Sequence, residues 1–345
     1  MSPPSKLQAG RIVQANSEET GSLGVRHLKR FWSRILSQRA APLIGPADDS
    51  EWTADRTLLS GLGLNLQETL CWLNEALPTF EQFEQWVLEI NGGAIDAGRI
   101  ARLNAALAGT LPENGEAFEP ALSAGDLEFF DEHGYVVLQD AVPTDVCRAS
   151  EQAIWEFVGA DPENCDTWYS GPQGHSIWLP LLHHPAICAV RSAPRIFAAF
   201  AELWRRTDLW PTIDQAGFNP PVRPGWPFPG PRLHWDMSLT LPIHFNLQGI
   251  VYLTDTAANQ GAFVCVPGFH RRIEAWLQSL PANADPRGQA LAELAPTPIV
   301  GRAGDLIIWH HALPHGSSPN TSSRPRIVQY VSMRPTHWSR PEEWI

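Results

Sequence analysis

No run of 18 consecutive apolar residues occurs in this 345-residue chain, so no segment reads as a membrane span. The opening stretch MSPPSKLQAGRIVQ lacks the apolar core of a secretory signal, and a cytoplasmic protein is expected. Cysteine is sparse and odd in number: Cys71, Cys147, Cys165, Cys188 and Cys265, with no CxxC or CxxxC spacing. That argues against a cysteine zinc site and a disulfide framework; reduced, mostly buried thiols are expected. Positive charge is in deficit too. Lys and Arg number 25 against 37 Asp and Glu, a formal net charge of -12, which disfavours nucleic acid as a partner. Net charge does not describe a single cleft, so a basic pocket for an anionic or carrier-linked small molecule stays open.

What is present is a globular composition, 43% hydrophobic and 18% charged. Fifteen Trp and 31 Pro suit a β-rich core with aromatic packing and many turns. The length allows one large core with an appended region, or two domains. The pattern divides the chain at about residue 118. Residues 1–118 read as an N-terminal helical extension with a flexible start to about residue 22. Gly24–Arg39 places Val25, Leu28, Phe31, Trp32, Ile35 and Leu36 at near-helical spacing, opposite Arg26, Lys29, Arg30 and Arg34. Such a helix is expected to dock on a core with its basic face solvated; a membrane surface or an anionic partner is the alternative. LNLQETLCWLNEAL is a second helix. Thr79 is placed to cap a third, Phe80–Ile90, which Asn91-Gly92-Gly93 ends, and Ala94–Leu107 is a fourth. This zone carries no metal or nucleophile pattern and is expected to cover the core or to mediate self-association into a homo-oligomer.

Residues 119–345 change character. Asp126–His133 and Pro143–Val158 read as helices around the strand GYVVLQDAV. Ile213–Asn219, Leu247–Thr254, Ala262–Val266, Asp305–Trp309 and Arg326–Met333 read as short strands between Pro/Gly clusters, which suggests a sandwich or barrel.

The chemistry centres on His234-Trp235-Asp236. On a strand, residues i and i+2 share a face, so an imidazole and a carboxylate stand side by side while Trp235 points away. HxD alone is a weak signal. It gains weight from GDLIIWHHALPHGSSPNTSSRPR, which offers His310, His311 and His315 as a third ligand and two arginines beyond. Two His and one carboxylate on one face of a metal leave open positions for a co-substrate and O2. Arg326 lies 11 residues after His315, where the next antiparallel strand returns to the same cavity. Its planar fork suits a carboxylate; Arg324 is the rival, weakened by its place beside Pro325. His270 reads as a turn residue, and His183-His184 as a helix boundary before Pro185.

The pieces FFDEHGYVVLQDAVP, HWD, YLTDTAANQGAFVCVPGFH and GDLIIWHHALPHGSSPNTSSRPR resemble, in order and spacing, the phytanoyl-CoA dioxygenase family along residues 124–335. The resemblance implies a β-rich α+β fold: a double-stranded β-helix (a jelly-roll, cupin-like core) with flanking helices. It implies Fe(II), 2-oxoglutarate and O2. It assigns His234, Asp236 and His315 to the metal, Arg326 to the distal carboxylate of 2-oxoglutarate, and Ser317 and Tyr252 to further contacts with that co-substrate. Nothing passes to the N-terminal zone. In related halogenases a small residue replaces the carboxylate that Asp236 supplies, so a hydroxylase releasing succinate and CO2 is expected; desaturation, epoxidation and rearrangement use the same triad. Phe218, Asn219, Arg223, Trp226, Trp235, His244 and Trp309 are the candidate substrate contacts, the loop 219–232 a candidate lid, and the insertion Ala275–Pro298 a candidate cap. A non-catalytic metal-binding jelly-roll and a zinc hydrolase or isomerase are the competing classes; intact His234, Asp236, His315 and Arg326 argue against the first, since a degenerate site would lose one of them, and the second gives Arg326 no purpose.

Overall fold

The structure is a computed structural model and describes residues 13–40, 49–281 and 283–337. In chain order its elements are α1 (Leu28–Ala40), α2 (Asp49–Gly61), α3 (Leu66–Ala76), α4 (Phe80–Ile90), α5 (Ala97–Leu107), α6 (Ala124–His133), β1 (Tyr135–Leu138), α7 (Thr144–Val158), β2 (Trp178–Leu179), α8 (Pro185–Arg191) and α9 (Pro194–Trp204). There follow β3 (Leu209–Pro211), β4 (Ala216–Asn219), β5 (Leu247–Tyr252), β6 (Phe263–Cys265), α10 (Ile273–Ser279), α11 (Pro286–Glu293), β7 (Thr297–Ile299), β8 (Leu306–His310), β9 (His315–Ser317), β10 (Arg326–Val331) and β11 (Met333–Pro335). The architecture is α+β with antiparallel sheets. No helix among the described residues is long and apolar enough to cross a membrane.

The chain forms two compact units. One runs to Glu116 and also takes in Arg206–Ile213 and a segment beginning at Arg334; the other holds Ala117–Arg205 and Asp214–Met333. The helical unit therefore includes two pieces from the part of the sequence assigned to the β-domain. Its core packs Phe31, Leu58, Leu62, Leu73, Phe83 and Leu103, all fully buried, with Trp210 from β3. Trp210 carries the Arg102 guanidinium 4.2 Å from its ring centroid and donates to Thr336 Oγ1 at 2.9 Å. Thr79 caps α4 as its position predicts, and Gln82 returns the bond to the Thr79 backbone at 2.8 Å. The helix α2 has no counterpart in the apolar pattern, because its buried face includes Asp55 and Thr57 beside Leu58 and Leu59.

The basic residues around α1 are paired within the unit: Arg26 with Glu18, Lys29 with Glu19, Arg30 with Glu51, and Arg34 with Glu51 and Asp55; Arg34 is buried, while Arg26, Lys29 and Arg30 stay partly exposed, as a solvated basic face predicts. The segment before α1 is tied down where it is described. Ala15 N–H donates to Ser33 Oγ, and Ser22 and Leu23 N–H both donate to the buried Glu84 carboxylate. The first twelve residues of the expected flexible start lie outside the described residues.

In the other unit six strands form one antiparallel sheet in the order β1-β8-β5-β10-β4-β2, and β7-β6-β9 form a second. The register puts Gln248, Ile250 and Tyr252 of β5, Ile307 and Trp309 of β8, Arg326 and Val328 of β10 and Asn219 of β4 on one face. That face meets Phe263, Cys265 and Ile299 of the small sheet in a shared apolar core. The opposite face is covered by helices: Phe218 meets Trp155 of α7 edge-on at 5.1 Å, and Gln329 donates to the Ile187 carbonyl in α8.

Asp55 is 4% exposed in its side chain and accepts from both His27 and Arg34. Asp55→Ala leaves the buried guanidinium without that counter-charge and is expected to cost about 3–5 kcal/mol, read by urea unfolding. A fragment starting near Pro120 keeps Arg206–Ile213 and the segment from Arg334 but loses the helices they pack with; it is expected to aggregate on purification, and a soluble monomeric fragment would show those contacts to be dispensable.

Candidate metal centre

His234 and Asp236 do not lie on a regular strand. The backbone there makes a single bridge, His234 to His315, in which His234 N–H donates to His315 O at 2.8 Å and His315 N–H to His234 O at 2.9 Å. Ser317 N–H extends the contact to Pro231 O at 3.1 Å. The approach needs glycine at position 316: a Cβ there would stand 2.6 Å from Arg232 O and 3.1 Å from Pro231 O, both backbone atoms that cannot swing aside.

The imidazoles are oriented by local carbonyls. His234 Nδ1 lies 2.7 Å from Arg232 O and His315 Nδ1 lies 3.0 Å from Leu313 O. A carbonyl only accepts, so each Nδ1 carries a proton, which leaves Nε2 as the nitrogen that a metal could take. Both Nε2 atoms face Asp236, at 3.3 Å from Oδ1 and 3.4 Å from Oδ2. One ligand atom from each residue falls within 4.8 Å of the others, and this is the one such group of His, Cys, Asp and Glu found among the described residues. Burial works against the Asp236 charge, but the two imidazoles outweigh it and hold the carboxyl well below the usual carboxylate range. Burial likewise opposes a charged His234, and its bond to Asp236 overcomes that and raises its pKa. Two neutral nitrogens and one carboxylate, converging with their other atoms already engaged, fit a divalent cation of the iron type. The site is open on one side: His315 is buried, while the Asp236 side chain is 53% exposed.

The rival histidines are occupied elsewhere. His310 Nδ1 accepts from Ala312 N–H, and burial beside His311 and His270 pushes its pKa down to about 3. His311 Nε2 meets the His244 carbonyl. His270 Nε2 faces Asp131 O, and His184 caps α8 through Ala186 N–H.

Arg326 is fully buried on the inner face. Its Nη1 donates to Ser317 Oγ at 2.9 Å, two residues along β9 from His315, while Nε and Nη2 are buried without a protein partner. Buried donors are nearly always satisfied, and an acceptor-rich group such as a carboxylate would fit these two. Arg324 is exposed; it lines a separate cavity of about 790 Å³ with Trp155, Arg148 and Ile327, and no triad residue lines that cavity. Tyr252 is turned to support. Its hydroxyl donates to Ile299 O at 2.7 Å and accepts from Phe263 N–H at 3.0 Å, joining three strands, and burial pushes its pKa up to about 12.

The expected substrate residues separate. Trp309 stays beside the triad, 5.1 Å from the His315 ring and 4.3 Å from Phe263, with Nε1 buried and unpartnered. Asn219 sits opposite Arg326 in the ladder and faces the same way. Phe218 does not: it is on the helix-covered face, a correction that follows from strand alternation. Arg223 stacks on Tyr169 at 3.4 Å and pairs with Asp166, and Trp226 packs between Tyr169 and His175. The loop expected as a lid is tethered: Tyr169 donates to Pro221 O, Val222 N–H to Asn320 O, and His175 to Pro227 O. Trp235 points away from the triad as its alternation predicts and donates to Ala312 O. One residue escaped the sequence reading. Gln248 Nε2 donates to Asp236 Oδ2 at 2.8 Å, and its Oε1 is buried without a partner. Its signal was available, as the one polar residue at the inward positions of LQGIVY.

The family model described as Phytanoyl-CoA dioxygenase (PhyH) matches residues 130–328, a span that holds the triad and Arg326. The chain belongs to the phytanoyl-CoA dioxygenase family. Among members and relatives, a putative phytanoyl-CoA dioxygenase of Dictyostelium discoideum is 23% identical over 61% of this chain and 74% of that protein. An ectoine dioxygenase of Sphingopyxis alaskensis is 26% identical over 65% of this chain and 82% of its own. The solved structure of EctD from S. alaskensis with bound Fe superposes with a TM-score of 0.48 at 21% identity, covering 66% of this chain and 83% of that one.

Replacing His234, Asp236 or His315 with Ala is expected to weaken Fe(II) binding at least about tenfold, measured anaerobically by calorimetry, since each removes a ligand. His310→Ala and His311→Ala are expected to bind as wild type; loss of binding in either would reassign the third ligand.

Proposed function

We propose that this member of the phytanoyl-CoA dioxygenase family is an Fe(II)- and 2-oxoglutarate-dependent oxygenase that hydroxylates an unactivated C–H bond of a small-molecule substrate, with release of succinate and CO2. The observation that carries this reading is Arg326: a guanidinium with no exposed surface and two unspent donors, one hydrogen bond and two residues from the ligand His315. A metal site alone has no use for it; a dicarboxylate co-substrate does. The antiparallel sheets facing one another across the core are read as the double-stranded β-helix that the family resemblance implies.

Iron held by His234, Asp236 and His315 would leave positions for a 2-oxo acid and O2 and supply the oxidising power. The protein's work is placement. The Nδ1–H bonds to Arg232 O and Leu313 O keep both imidazoles in the ligating tautomer. Asp236 contributes one negative charge, and Gln248 holds one of its oxygens. Arg326 and Ser317 bind the distal carboxylate as a charge-assisted pair. Trp309 and Phe263 wall the site with apolar surface that excludes water. The presence of the Asp236 carboxylate favours hydroxylation over halide chemistry.

Wild-type protein with anaerobic Fe(II) and 2-oxoglutarate is expected to develop a visible charge-transfer band, and with O2 to form succinate. Arg326→Ala is expected to raise the 2-oxoglutarate concentration needed for both by about 10- to 100-fold, the value of losing a hydrogen bond to a charged group. Iron-loaded wild type with no band and no succinate would leave a zinc enzyme or a binding protein as the better account.

A further inference from the structure

The insertion between the PGFH turn and β7 does more than cover the core. Its helices α10 and α11 bury Ile273 and Ala290 against the same apolar cluster that holds Trp235, and Trp276 packs 6.0 Å from the Trp235 ring. Asp285 caps α11 by accepting from Arg287 N–H and Gly288 N–H, which fixes Arg287 in the first turn. From there the Arg287 guanidinium spans to the other side of the ligand loop. Nη1 donates to Trp235 O at 2.9 Å and Nη2 donates to Met237 O at 2.7 Å. These two carbonyls flank Asp236. Glu274 of α10 holds the far end of the same loop by accepting from Ile243 N–H at 3.0 Å.

The need for such a brace follows from the fold. The ladder pairs His234 with His315 and then stops, so residues 235–237 have no strand partner to set their direction. A ligand on unladdered backbone is placed only as well as its neighbours hold it, and Asp236 is also the most exposed of the three. A planar fork that grips the carbonyls of residues 235 and 237 fixes the peptide plane entering Asp236 and the plane leaving Met237, and so restricts the short stretch between them. We propose that Arg287 is a positioning residue of the metal centre: by clamping the backbone on either side of Asp236 it sets where the ligand carboxylate stands, and so tunes metal affinity from an insertion that supplies no ligand. This rests on the reading of His234, Asp236 and His315 as a metal site. Lysine cannot reproduce the clamp, because an ammonium is a point donor without the fork.

Co(II), an air-stable stand-in for Fe(II), is the probe, titrated into wild type, Arg287→Ala, Arg287→Lys and Asp236→Ala, with circular dichroism and melting to establish folding. Arg287→Ala is expected to weaken Co(II) binding by about 10- to 100-fold, the usual range for groups that orient metal ligands, and Arg287→Lys by less. At saturating Fe(II), the 2-oxoglutarate requirement of Arg287→Ala is expected to match wild type, unlike that of Arg326→Ala. A folded Arg287→Ala with wild-type Co(II) affinity overturns the proposal. Should that variant not fold, Arg287→Gln is judged by the same measure; if neither folds, Arg287 serves stability and the proposal also falls. Wild type that binds no more Co(II) than Asp236→Ala would instead remove the metal site itself, which separates the two failures.

Discussion

The candidate metal centre depends on the reciprocal pair of backbone hydrogen bonds between His234 and His315. Each bond contributes only about 1 kcal/mol net, yet together they bring a loop and a strand, distant in sequence, to one register. Slip that register by one residue and either imidazole turns to the other side. Gly316 makes the contact sterically open, and the carbonyls of Arg232 and Leu313, each two residues before its histidine, then set both ring tautomers with the same local geometry. The third ligand follows because Asp236 is two residues on from the first.

Two opposite charges lie on either side of β9. Asp236 carries a charge that burial opposes and the imidazoles sustain. Arg326 carries the opposite charge with donors left over. Each buried donor without a partner costs about 1–3 kcal/mol, a cost that a carboxylate bound at Arg326 would remove. The two charges are joined through β9, which presents His315 to one and Ser317 to the other. Strand alternation thus relates His315 to the Ser317–Arg326 pair.

Much of this was legible in the sequence, for reasons that can be named. HxD, the HGS step and an arginine on the returning strand report side-chain spacing, which survives whatever the backbone does between them. The strands β5, β8 and β10 were legible because they bury both faces and read as apolar runs. What failed were inferences that need a partner. The HxD segment was expected on a strand, but a ladder is a property of two segments and here the second offers only one residue. Phe218 looked like a pocket residue until its neighbour Asn219 claimed the inward face. The helix α2 was missed because its buried face is partly Asp and Thr, apolar pattern giving way to an ion pair formed with α1. The division near residue 118 could not foresee that β3 and the segment from Arg334 join the helical unit.

The site is also graded in a way that no single residue explains. Arg326 has no exposed surface, His315 almost none, and Asp236 is half exposed. A group bound at Arg326 exchanges its water for protein, whereas one at Asp236 keeps a solvated side. The sealed end is built on the ladders of β9 and β10. The open end is built on a loop, where the carbonyls of Trp235 and Met237 would face outward unpaired but for a side chain from the insertion. Regular structure therefore does its own bracing at the closed end, and the open end has to import it. That asymmetry is why a helix without a single metal ligand can matter to the metal.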